Sequence, residues 1–171
     1  MMSFLSSIAQ SIASPPQRHA MFIHLPIALA FVIAGLMIFF LLSRGKSTAL
    51  RRILMALLLV GGLLSFLAAQ AGSAAMEMLT LPLTPEATQA LESHEFMGNL
   101  LWMFYLVTAG LIALTTFKMR LVRYPAVLLA SLAVLILMGW VMVVSHDGGN
   151  LVYRHGAGVP ASPNNTVIVT P

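Results

Sequence analysis

Four stretches of the chain are predominantly apolar, and charged residues are confined to their ends and to the segments between them. They run from about Met21 to Ser43, Leu50 to Ala71, Phe96 to Phe117 and Pro125 to Ser145. Each is close to the roughly 20 residues that a helix needs to cross a bilayer core, so the pattern predicts four transmembrane helices. Two helix starts precede the apolar stretches. Ser14-Pro15-Pro16 and Thr84-Pro85-Glu86 put proline in a first turn, where its missing N–H is harmless. The third helix is therefore expected to rise above the membrane, unbroken from about Pro85, leaving Gly72–Leu83 as a short connection. Gly148-Gly149 is expected to break the chain after the fourth. Ahead of the first span, Phe4, Leu5, Ile8 and Ile12 share one helical face, the pattern of a helix lying on a membrane surface. Residues 1–18 thus read as an outer-face interfacial segment, 19–159 as a four-helix transmembrane domain, and 160–171 as a disordered Pro/Asn/Thr-rich tail.

Composition agrees. Apolar residues make up 59% of the 171, and charged residues 8%. A soluble domain carries about 25% charged residues, so this chain could not cover a water-facing surface. It has no cysteine, which excludes disulfides, thiolate metal sites and covalent haem attachment. The net charge of +4 does not indicate nucleic acid, because no basic groove with interleaved aromatics is present.

The charges are placed by side. Arg44, Lys46, Arg51 and Arg52 follow the first span, and Lys118, Arg120 and Arg123 follow the third; these are seven of the nine basic residues. Both loops therefore read as cytoplasmic, with the two termini and the middle loop outside. All five acidic residues (Glu77, Glu86, Glu92, Glu95 and Asp147) fall outside as well. The expected fold is an all-α, up-down-up-down membrane bundle in a bacterial inner membrane, with periplasmic termini.

On that topology all five histidines gather at the outer face: His19, His24, His94, His146 and His155. Imidazole ligates haem iron and other metals, and bundles hold cofactors between facing helices. His24 is flanked by Ile23 and Leu25, where an unpaired polar group is costly, and it lies deeper than His19. The expectation is a non-covalent haem b with His24 and His94 as axial ligands and His146 as the chief competitor. His19 and His155 would supply a second haem or support the first. Gly98 below His94, Ala28 below His24 and Gly139 below His146 would leave room for a flat macrocycle. Arg18 and Arg154 are the two basic residues outside, each directly before a histidine, and suit the two propionates of a haem.

Two alternatives stand beside haem. A zinc or copper site would use His24, His94 and His146, with Met76 and Met78 near Glu77 as further copper ligands. A structural or assembly subunit would use the histidines only as hydrogen-bonding anchors. Gln70 and Asn99 read as buried helix–helix contacts. No phosphate loop, dinucleotide fingerprint or nucleophile elbow is present.

The segment Arg18-His19-Ala20-Met21-Phe22-Ile23-His24-Leu25-Pro26-Ile27-Ala28-Leu29 resembles the His-x4-His-x-Pro-Ile-Ala-Leu opening of domain-of-unknown-function family 2231 (DUF2231). Gly148-Gly149-Asn150-Leu151-Val152-Tyr153-Arg154-His155-Gly156 resembles the signature that closes that family, and His94 falls where its members carry a histidine. The resemblance spans about residues 19–159 and implies a four-helix bacterial membrane protein. It further implies a companion of respiratory or cytochrome systems, with quinone, a cytochrome or other respiratory subunits as partners besides the lipid bilayer.

Overall fold

A computed structural model of the protein describes residues 2–78 and 83–157 and is helical through nearly all of them. In chain order the helices are α1 (Met2–Ala13), α2 (Pro15–Leu42), α3 (Thr48–Met76), α4 (Pro85–Leu114) and α5 (Arg120–Tyr153). The last four are each long and apolar enough to cross a membrane. α2 packs on α3, α3 on α4, α4 on α5, and α5 back on α2, closing a four-membered ring. This is the expected up-down-up-down bundle, with α2–α4 and α3–α5 as its diagonals. The start of α2 and the end of α5 lie at one end, together with the histidines. The two basic loops lie at the other.

Both proline starts are used. Pro15 opens α2 after an extended Ser14, and Pro85 opens α4 after Thr84, whose hydroxyl accepts from the Ala87 N–H at 3.2 Å. α4 then runs through His94 without interruption. α5 departs from expectation. It begins at Arg120, carries Pro125 inside, and continues through Gly148-Gly149 to Tyr153. Glycine in a helix interior costs about 1 kcal/mol, which packing can offset, so two of them need not end a helix. The turn comes instead at Gly156, where φ is +64°. The tail 160–171 lies outside the described residues, as do residues 79–82 of the connection before α4.

The core is uneven along the bundle axis. Toward the basic loops it is built of large side chains, with Ile33, Phe40, Leu54, Leu58, Ile112 and Leu137 fully buried. At mid-height Tyr105 of α4 crosses the diagonal and donates to the Pro26 carbonyl of α2 at 2.6 Å. Its ring lies on α3 at Gly61, where any Cβ would overlap it. Above Tyr105 the buried positions of α3 become small: Ser65, Ala68 and Ala71. Large apolar residues such as Phe31, Ile38, Phe39, Leu63 and Leu128 point outward, as a lipid-facing surface requires.

The basic end is tied by hydrogen bonds. Arg51 donates from Nε to Thr115 Oγ1 at 3.1 Å and from Nη2 to the Gly45 carbonyl at 3.0 Å, linking the α2–α3 turn to the end of α4. The buried Thr115 hydroxyl donates to the Ile112 carbonyl at 2.6 Å. Gly45 has φ +67° and sits against Val127, so only glycine fits there.

Candidate functional site

The histidine end divides its five imidazoles by face. In each helix the buried positions recur at about two turns per seven residues. His19 is in register with Pro26, Ile33 and Phe40, all buried. His94 is in register with Leu101 and Thr108, also buried. His19 and His94 therefore project inward from the diagonally opposed α2 and α4. His24 falls in register with Phe31 and Ile38, and His146 with Leu132, all strongly exposed. His24 and His146 are themselves exposed. The structure thus does not bring His24 to the inward side that His94 occupies. The inward histidine of α2 is His19.

Each inward ring rests on a glycine of the next helix. A Cβ on Gly72 of α3 would lie 2.9 Å from His19 Nδ1, and a Cβ on Gly148 of α5 would lie 2.9 Å from His94 Cε1. Gly72 continues the buried α3 register of Leu58 and Ser65, and Gly148 that of Val134 and Val141. The Gly148 once read as a chain break is instead the seat of an imidazole.

The hydrogen bonding of the two rings differs. His19 Nδ1 pairs with the Ala68 carbonyl at 2.7 Å. A carbonyl only accepts, so Nδ1 is the donor and Nε2 is the nitrogen left for a ligand. That is the arrangement of a metal-ligating histidine whose other nitrogen is held by backbone. His94 Nδ1 is buried with no hydrogen-bond partner. His94 lies within electrostatic reach of His19 and of Asp147. Directly after it, Glu95 Oε1 accepts from Ser73 Oγ at 2.8 Å, pinning α3 to α4. One turn below Ala68, the Ser65 hydroxyl is likewise buried and unpartnered.

The remaining expected residues sit apart from this pair. His155 is half-buried in the turn after α5, within electrostatic reach of Glu86 at the start of α4. Arg18 reaches the Ile12 carbonyl at 3.5 Å, the long limit of a hydrogen bond, and Arg154 is exposed where α5 ends. Among the small residues, Gly98 has nothing within 4 Å of an added Cβ and lies one turn below His94, whereas Ala28 and Gly139 are exposed. Gln70 is exposed rather than buried, and Met78 and Glu77 are exposed too. Among the described residues, no three His, Asp or Glu side chains converge as a metal site.

Sequence spacing carried the signal that was missed. His19 and Pro26 are seven positions apart, as are His94 and Leu101. Depth and apolar flanks drew attention to His24 instead.

No curated protein and no solved structure matches the chain. The family model described as "Predicted membrane protein (DUF2231)" matches residues 17–161, from just before His19 to beyond His155. The chain therefore belongs to domain-of-unknown-function family 2231, the predicted membrane proteins its two end motifs resemble.

Proposed function

We propose that the histidine end binds haem b through His19 and His94, and that the protein is an electron-transfer subunit of a bacterial inner membrane. The observation that carries this reading is the inward pair itself. Two imidazoles come from diagonal helices of one bundle, and His19 has Nδ1 bonded to the Ala68 carbonyl so that Nε2 is free to ligate. Haem asks for two axial ligands, which suits a pair, whereas zinc or copper usually takes three or four. Gly72 and Gly148 make room for the two imidazoles themselves, and the unpartnered His94 Nδ1 beside the small α3 residues Ser65 and Ala68 suits a further polar or ligating group. Bound there, haem would supply one-electron transfer. The chain would hold it by two neutral imidazoles and exclude water from below with Tyr105.

Seven basic residues in two loops favour those loops as cytoplasmic, which puts the histidine end on the periplasmic face. A quinol in the bilayer and a cytochrome outside suit a haem at that level as donor and acceptor. Arg18 and Arg154 remain the basic residues closest in sequence to the site and the candidates for its propionates.

Oxidised and reduced optical spectra of the detergent-purified protein test the proposal. We expect a bis-histidine b-type spectrum that is lost in both His19→Ala and His94→Ala and kept in His24→Ala and His146→Ala. A protein that folds in haem-sufficient cells yet shows no such spectrum would overturn it. Loss of folding in both inward variants, with no chromophore in the parent, would point to the structural reading instead.

A further inference from the structure

The opposite end of the bundle carries a second candidate site. Between the end of α2 and the start of α5 lies a cavity of about 280 Å³ lined by Leu41, Arg44, Tyr124, Val127 and Leu128. A second cavity of about 130 Å³ continues along the same α2–α5 groove, sharing Leu41 and lined by Ala34, Ile38, Ser131 and Leu135. The two differ in chemistry. The deeper one is apolar and faces the lipid-exposed flank. The shallower one opens among cations.

Those cations have no counter-charge. Lys46, Arg120 and Arg123 all lie within electrostatic reach of the Tyr124 hydroxyl, and Arg44 lines the cavity itself. Every acidic residue of the chain belongs to the histidine end. Arg123 sits with its guanidinium 5.5 Å from the Tyr124 ring centre, and its buried Nε has no hydrogen-bond partner. Arg44 on the lining and Lys46, Arg120 and Arg123 about Tyr124 repel one another unless an anion joins them.

We propose that this groove binds one anionic phospholipid from the leaflet facing the basic loops. Its phosphate sits among Arg44, Arg123 and Tyr124, and an acyl chain lies along Ala34–Leu41 against Ser131 and Leu135. Charge complementarity selects an anionic headgroup, since basic pockets between membrane helices suit such lipids. The apolar continuation selects a lipid over free phosphate. α2 and α5 also pack least extensively of the four neighbouring pairs in the ring, which leaves the groove open. The site is independent of the histidine end and of what binds there.

Native mass spectrometry of the delipidated full chain tests this with dioleoyl phosphatidylglycerol and dioleoyl phosphatidylcholine, which share acyl chains. We expect one phosphatidylglycerol per chain, retained at least fivefold over phosphatidylcholine. Arg44→Asn should weaken that preference about fivefold. Asparagine tolerates the left-handed backbone of position 44, where φ is +53°, so this exposed change preserves the fold. Arg123→Gln should act similarly, and Ala34→Phe should lower retention by filling the groove while leaving the charges intact. Excess inorganic phosphate should not displace the lipid. Equal retention of the two lipids, an unchanged preference in Arg44→Asn, or full displacement by inorganic phosphate would each overturn the proposal.

Discussion

The two ends of one bundle are built on opposite principles. At the basic end Arg51 bonds both Gly45 and Thr115, Thr115 bonds Ile112, and the core beneath is made of Phe40, Leu54, Leu58 and Ile112. At the histidine end the buried α3 residues are Ser65, Ala68 and Ala71, and two imidazoles rest on glycines. Two polar atoms there, Ser65 Oγ and His94 Nδ1, are buried without partners. A buried polar group left unpaired costs about 1–3 kcal/mol, so a bundle built for stability alone would fill such positions with apolar side chains. The basic end does so almost throughout, with Arg123 Nε as its exception beside the proposed lipid groove. The contrast is one of filling: the basic end pairs its polar groups over large side chains, and the histidine end leaves polar atoms unpaired beside a small-residue α3 face.

The largest expected effects fall where the comparison is sharpest. His19→Ala and His94→Ala should each remove the proposed haem spectrum while lowering thermal stability by about 1 kcal/mol or less, because Ser65, Ala68 and Ala71 pack little against that end. A fall in stability comparable to a core truncation would place cohesion at both ends and break the contrast.

Gly61→Leu should come next. Its side chain would collide with the buried Tyr105 ring, and overpacking costs about 1–3 kcal/mol, read as an earlier unfolding midpoint in detergent titration. Gly45→Ala should act in the same range, through its left-handed backbone and its contact with Val127. Gly45→Ala, at the opposite end from the histidines, should leave the proposed haem spectrum unchanged in the protein that remains folded.

Gly148→Ala should do the reverse. The added methyl would lie 2.9 Å from His94 Cε1, so the ring must shift while the helix persists. A change in spectrum or midpoint potential with an unfolding midpoint within about 0.5 kcal/mol of the parent would sharpen the division. Unaltered spectra with lost stability would dissolve it.

The smallest effect is expected at the boundary. Tyr105→Phe removes the bond to the Pro26 carbonyl, and interhelical hydrogen bonds in membranes average about 0.6 kcal/mol. A loss several times larger would mean that the diagonal bond, rather than the basic end, organises the bundle.

Much of this was legible in the chain. Apolar run length gave four spans, the Ser14-Pro15 and Thr84-Pro85 starts gave the true beginnings of α2 and α4, and charge placement separated the two ends. Sequence order alone places all five histidines at one end of the bundle. The reading of Gly148-Gly149 as a break failed because glycine's local cost is small beside the helix packing it permits.

What the sequence determined by itself was therefore the number of long apolar helices and the segregation of charge to their ends, both consequences of transfer into lipid. Which histidines meet was decided only by tertiary structure. In a soluble helix the polar face would have identified the buried one, but α2 is apolar around its whole circumference, so composition does not distinguish the face that meets protein from the face that meets lipid. Packing of α2 against α3 and α5 made that choice. It turned His19 inward onto Gly72, left His24 outside, and set Tyr105 of a third helix across the diagonal to Pro26.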